Sequence, residues 1–251
     1  PADGDEIRIV KTSDDRTYYS ETTKASLDWS NREVLIVGAN SAGVVDGTRP
    51  VIYGTDLASD NCIWEITTAT TDQTTVANLE FNGGDAAGCL YCISFSASNS
   101  HNMSWINCRF HSASSHGFDC SLANYNKFIN CQFDNNGGDG LYHNVNHYGL
   151  VYKCLFNDNV SDGACFLNNT RIIQSVFYNN GALGCSIGAQ GSVICGCVFA
   201  DNTSDGLYVS TGVGTIAITD SISSGNGAYG WNIYSSAEVH FFNCHSGGNT
   251  S

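Results

Sequence analysis

Three aspartates recur immediately before a glycine, Asp139, Asp162 and Asp205, with Asp134, Asp158 and Asp201 just upstream of them. Carboxylates paired in this way can act as general acid and base on a glycan, or can hold calcium together with backbone oxygens. Asp before Gly is also ordinary turn chemistry on a solvated edge. Five of the seven histidines (His101, His111, His116, His143 and His147) fall between 101 and 147, alongside Trp105, Arg109, Tyr142 and Tyr148. Imidazoles, aromatic rings and a guanidinium at close quarters are the side chains that bind or cleave a sugar. The catalytic candidates are therefore Asp139, Asp162, His116 and Arg109. The candidates for glycan contact are Trp105, Tyr142, Tyr208 and Asp119. Calcium, if any ion is held, would lie against Asp139, Asp162 and Asp205, and no other cofactor is expected.

The elements that must position these side chains follow from a repeat. The segments INCRFHSASSHGFDC (106–120), INCQFDNNGGDGLYH (129–143), YKCLFNDNVSDGACF (152–166), IQSVFYNNGALGCSI (173–187) and CGCVFADNTSDGLYV (195–209) align without a gap, with weaker copies at 77–91, 219–233 and 242–251. Equivalent positions fall at Leu79, Cys108, Cys131, Cys154, Ser175, Cys197, Ser221 and Cys244, spaced by 29, 23, 23, 21, 22, 24 and 23 residues. A period near 23 with short alternating runs fits one coil of a β-solenoid.

Alternation puts Ile106, Cys108 and Phe110 on the core side and Asn107 and Arg109 outside, and likewise Ile129, Cys131 and Phe133. Glycine seven residues after the Phe position (Gly117, Gly140, Gly163, Gly184, Gly206, Gly230) opens a further strand. Its inward residues include Phe118, Leu141, Leu207 and Trp231, followed by Cys120, His143, Phe166, Ile187, Val209 and Ile233. Tyr142, Tyr208 and Asp119 share the outward column, as does Cys165.

Stacked coils turn such positions into ladders. Phe81, Phe110, Phe133, Phe156, Phe177 and Phe199 form an aromatic one. Asn136, Asn159, Asn180, Asn202, Asn226 and Asn249 form an asparagine one at a turn, where Asn suits left-handed backbone and its amide can bond the amides above and below. The coil between Leu79 and Cys108 is about six residues long in excess, so 92–104 is expected to bulge out as a loop.

Of the twelve cysteines, Cys108, Cys131, Cys154, Cys197 and Cys244 occupy one ladder position that accepts Ser elsewhere. Side chains in stacked strands stay about 4.8 Å apart, wider than a disulfide prefers, so these read as free buried thiols. Free thiols suit folding in a reducing compartment. Cys89 and Cys92 form a lone CxxC without a second pair. Cys165 is the candidate for a reactive or bridging thiol.

Composition agrees with an all-β chain. The 251 residues contain 27 Gly and 2 Pro, and only 14% are charged. A net charge of -14 with 10 Lys and Arg leaves no basic stripe for nucleic acid or for an anionic membrane surface. No run of 18 apolar residues is present, so membrane insertion is not expected. The chain reads as one domain, with opening coils over 1–76 and regular coils over 77–251. The last copy stops in mid-coil at Ser251, which predicts truncation at the C-terminal end or cover by another chain.

These repeats, reading NCxFxxN and NxxxG, resemble the right-handed parallel β-helix, or pectin-lyase-like, superfamily over 77–251. GDEIRIV (4–10) and VLIVGANSAGVVDGTRPVIYG (34–54) are similar to the opening coils of such proteins. SHGFD (115–119) resembles the GHG of polygalacturonases and the YGFD of alginate epimerases, while their companion motifs RIK, NTD and DPH are missing, so no catalytic role carries over. The resemblance implies a polysaccharide partner. Together with the thiols and the missing cap, it leads to the expectation of a structural and binding β-helix of a virion. Such a part, a tail fibre, tailspike or capsid decoration, would be assembled in the host cytoplasm as a homotrimer or with other virion subunits. A polysaccharide lyase or glycoside hydrolase, and an extracellular or cell-surface adhesin of bacteria, are the alternatives.

Overall fold

The computed structural model describes residues 5–10, 17–18, 25–27, 34–54, 62–66, 74–84, 88–95, 99–100, 102–121, 123–143, 149–166, 169–188, 191–210, 214–234 and 238–251. His101, His147 and Tyr148 lie outside them. Each coil contributes a short strand to each of three sheets, as in Lys127–Ile129, Gln132–Asp134 and Leu141–Tyr142. The sheets hold ten, ten and nine strands among the described residues, and every pairing is parallel to the preceding and following coil. DEIRIV and VLIVGA are neighbours in the first sheet, with Asp5 opposite Val34 and Val10 opposite Ala39. This first sheet continues without a break from Val34–Ala39 through Thr75–Ala77 to Ser104–Ile106.

Two left-handed turns shape each coil. Between the first and second sheets a single residue turns the chain: Asn107, Asn130, Lys153, Gln174, Gly196, Asp220 and Asn243 have φ between 51° and 65°. This bend corrects the expected alternation. One left-handed residue resets the side-chain phase, so the core residues before it are Trp105, Phe128, Val151, Ile172 and Ile194, all fully buried. Ile106 and Ile129 instead face outward, half-buried. After the bend, Cys108 and Phe110 point inward as expected, each with 0% exposure.

The second turn carries the asparagine ladder. Each Nδ2 donates to the Oδ1 of the next coil's Asn, at 2.9 to 3.0 Å from Asn136 through Asn249. The same nitrogen donates to a Phe carbonyl of the preceding coil, as Asn159 does to Phe133 at 3.1 Å. The ladder residues are not themselves left-handed. That conformation belongs to the residue just before each, Asn135, Asp158, Asn179, Asp201, Gly225 or Gly248. The ladder Asn thereby turns its amide into the core, where every donor and acceptor must be matched.

The repeated glycine is explained by the backbone of the next coil. A Cβ on Gly163 would sit 2.5 Å from the Gly184 carbonyl and 2.9 Å from Asn180 Nδ2, and Gly140 is equally crowded by Gly163. The Phe ladder stacks face to face with centroids 4.7 to 5.3 Å apart.

All twelve cysteines are free. Ladder thiols donate to core-facing carbonyls, Cys131 to Trp105 at 3.3 Å and Cys197 to Ile172 at 3.4 Å. Ser175 and Ser221 make comparable donations to Ile173 and Thr219, which is why Ser substitutes there.

The long coil does not bulge over all of 92–104. Tyr91–Phe95 is a strand of the third sheet with Cys92, Ile93 and Phe95 buried, and Asn99–Ser100 pairs with Ala123–Asn124 as a small fourth sheet.

Candidate functional site

The outer face of the third sheet collects most of the expected site residues. Strand register aligns Ser94, Asp119, Tyr142, Cys165, Ser186, Tyr208 and Asn232 in one column. Three positions upstream, the same register aligns Tyr91, His116, Asp139, Asp162, Leu183, Asp205 and Tyr229. The imidazole of His116 lies between the rings of Tyr91 and Tyr142, at centroid distances of 5.8 and 4.6 Å and interplanar angles of 8° and 11°. Three stacked rings thus run across successive rungs of a rigid sheet.

The upstream column has a local task. His116 Nδ1 accepts the Asp139 backbone N–H at 3.0 Å. This assigns the ring proton to Nε2, and the Asp139 carboxylate 3.6 Å from Nδ1 is no ion-pair partner of a neutral ring. Asp139 Oδ1 accepts from the N–H of Asp162 at 2.9 Å, and Asp162 Oδ1 from that of Leu183 at 3.0 Å. Asp205 accepts the Tyr229 N–H at 2.9 Å and the Asn232 amide at 2.8 Å. Each side chain therefore satisfies a strand-opening N–H of the following coil, and the expected solvated acidic edge is a run of backbone acceptors. Asp139 and Asp205 are buried. Burial pushes the Asp162 carboxyl up to about 6; the Leu183 N–H pulls against this and the Asp139 charge adds to it. Among the described residues no three His, Cys, Asp or Glu side chains converge as metal ligands would.

Arg109 stands on another sheet. It faces outward from the second sheet, where its guanidinium makes a bidentate pair with Asp134 at 2.9 and 2.7 Å and reaches Glu80 at 3.2 Å. Asp134 raises the Arg109 pKa further against the opposing effect of burial. His111 Nε2 lies 3.0 Å from Glu80. Burial acts to raise Glu80, but the His111 hydrogen bond and the charges of His111, Arg109 and Arg49 hold it below its ordinary range. Arg109 is thus a locked member of a four-residue network and is not grouped with His116, Asp139 and Asp162 as a shared catalytic set.

Two further expectations change. Trp105 is fully buried, edge-on to Phe110 and Phe118 at 5.6 and 5.0 Å, so it offers no surface to a sugar. Cys165 faces outward as expected, but burial and then the charges of Asp139 and Asp162 push its thiol up to about 12, leaving almost no thiolate at neutral pH. His143 is buried, as its inward position requires. Tyr91 was missed, because the excess length of its coil hides its alignment with His116, which follows from the pairing of Ile93 with Phe118 two residues on.

The family model described as right handed beta helix region matches residues 123–251. No curated protein matches the chain. Among solved structures it resembles pectate lyase Pel9A, at 16% identity and a TM-score of 0.68 over 99% of this chain and 72% of that one. It also resembles the A-module of the Azotobacter vinelandii mannuronan C-5 epimerase AlgE4, at 14% identity and a TM-score of 0.66 over 95% of this chain and 66% of that one. A third likeness is to ORF18 of Geobacillus virus E2, at 15% identity and a TM-score of 0.59 over 95% of this chain and 54% of that one. The chain thus spans just under two thirds of the epimerase module and about half of the viral protein. At these identities the likeness is one of fold.

Proposed function

The chain belongs to the right-handed β-helix family, and from that premise we propose that it is a glycan-binding β-helix of a virion that holds a cell-surface polysaccharide along the outer face of its third sheet. The observation that carries the reading is the column of Asp119, Tyr142 and Tyr208 beside the Tyr91–His116–Tyr142 stack. Flat rings offer apolar faces to the C–H faces of sugars, and Asp119 and Asn232 supply hydrogen-bonding groups at the same level. Polysaccharide enzymes among the structural neighbours give the class of partner by analogy. Twelve free cysteines fit folding in a reducing cytoplasm, where virion parts are made.

Homotrimeric assembly is part of the same proposal. The outer face of the second sheet carries an uncharged column, Leu155, Val176, Val198 and Ile222, with Tyr178 beside it. In a chain of net charge -14 such a face is where copies can meet without opposing acids. The test is binding to a panel of cell-surface polysaccharides. Tyr142→Ala with Tyr208→Ala is expected to lower affinity by about tenfold or more, since each stacked ring is worth roughly 1 kcal/mol. Unchanged binding by the double variant overturns the site.

One observation favours the enzyme reading. Asp162, at about 6 beside Asp139, has the proton affinity of a general acid near neutral pH. Release of unsaturated uronate or new reducing ends from the same panel, with and without calcium and lost in Asp162→Asn, would establish a lyase or hydrolase instead. On a bacterial surface the same binding face would serve an adhesin.

A further inference from the structure

The first sheet has an outer face of its own, and one part of it is chemically unlike the rest of the molecule. A groove of about 460 Å³ is lined there by Lys127, Gly149, Leu150, Asn169, Arg171 and Gly191. Lys127, Leu150 and Arg171 are in register on successive strands, so the two cations lie two rungs apart, roughly 10 Å along the solenoid axis. The other described cations are engaged. Arg8 pairs with Glu6, Arg109 with Glu80 and Asp134, Arg49 acts on Glu80, and Lys153 lies over the Tyr152 ring. Among the described residues Lys127 and Arg171 have no such partner, and both line the same groove.

The sequence around them deepens the contrast. The chain has 24 acids, yet 140–157 and 163–200 contain neither Asp nor Glu. These two stretches, including their parts outside the described residues, bring no carboxylate to the pair, and the acids of the same coils stand elsewhere: Asp134 on the second sheet, Asp158 at the turn after it, Asp139 and Asp162 beside the third sheet. A groove with two free cations and an acid-free border concentrates positive potential in a protein that otherwise repels anions. Leu150 between them supplies an apolar floor, and Gly149 and Gly191 keep the walls low.

We propose that this groove is a second glycan subsite, specific for sugars that carry an anion, carboxylate or sulfate ester, with successive charged groups engaged by Lys127 and Arg171 and a ring face on Leu150. The proposal rests on the glycan-binding reading for its class of partner but uses a different sheet, so the two can fail separately. The experiment is calorimetric titration of the whole chain at low salt with oligogalacturonate, with a sulfated oligosaccharide and with a neutral maltooligosaccharide. At least one anionic ligand is expected to bind and the neutral one not. Affinity should fall at least about tenfold in Lys127→Gln with Arg171→Gln, since a charge-assisted contact is lost at each, and should fall as salt rises. Lys153→Gln, a like charge outside the groove, and Tyr142→Ala with Tyr208→Ala should each leave that affinity within about twofold. Circular dichroism on each variant checks that the fold persists. Absence of binding by both anionic ligands, equal binding of the neutral one, or binding indifferent to Lys127 and Arg171 overturns the proposal. Loss in the tyrosine variant alone would place the anionic sugar on the third sheet and likewise overturn it.

Discussion

His116 and Asp162 show how a side chain that looks poised for chemistry can be occupied by architecture. Both sit in one column, and both give an acceptor atom to the backbone of the next coil. The residue types and their spacing were visible in the sequence. The offset that brings each beneath a particular N–H was not, because it depends on the rise of a coil rather than on local pattern. Asp162 also carries a consequence for stability. Its carboxyl ionises near 3.8 in a solvated chain and near 6 when folded, so between those values the folded state holds the extra proton. Stability contributed by the protonated form is complete below about 3.8 and is lost as pH rises through about 6. Asp162→Asn keeps the oxygen that accepts from Leu183 and removes the charge. It is expected to raise stability at pH 7 by about 1 to 2 kcal/mol, discounted from the full linkage value for partial exposure. Denaturant midpoints measured at pH 4.5 and 7.5 should show a clearly larger gain for the variant at the higher pH.

At the scale of strands and turns, the period was legible and the bends were not. Cys, Phe, Asn and Gly recur at fixed spacing because equivalent positions in stacked coils meet the same neighbours, and that reading held for the Phe, Asn and Cys ladders. Alternation failed at Asn107, where one left-handed residue puts Trp105 and Cys108 on the same side of the chain. The signal was available in a weak form. The position before the ladder Cys or Ser holds Asn, Asn, Lys, Gln, Gly, Asp and Asn from 107 to 243, mostly types that tolerate positive φ. The third-sheet glycines make a stricter demand. Gly163→Ala would force its Cβ against the Gly184 carbonyl at 2.5 Å, and neither backbone can move without disturbing the next rung. A loss of about 2 kcal/mol or more is expected, read as a lowered denaturant midpoint. A shift below about 0.5 kcal/mol would mean that the rungs are more compliant than this contact implies.

Over the whole molecule, each sheet carries a different outer surface. The third presents rings and carboxylates, the first two unpartnered cations, and the second a charged network that gives way after Asp134 to the column from Leu155 to Ile222. If copies associate through that column, Val198→Glu should convert the assembly to monomers by light scattering, while leaving far-ultraviolet dichroism unchanged. A wild-type chain that is monomeric at high concentration would remove the trimer from the proposal. The amino-acid sequence by itself determined the parallel β-helix, its coil length, the Phe and Asn ladders and the burial of the thiols, since each follows from a repeat whose members occupy equivalent positions. Only the tertiary structure decided that Trp105 is core, that Arg109 is sequestered by Asp134, and that Lys127 and Arg171 share a groove. Those outcomes depend on how far each turn rotates the chain and how much each coil rises, and such angles are set by backbone conformation at a few residues rather than by the pattern of side chains along the strands.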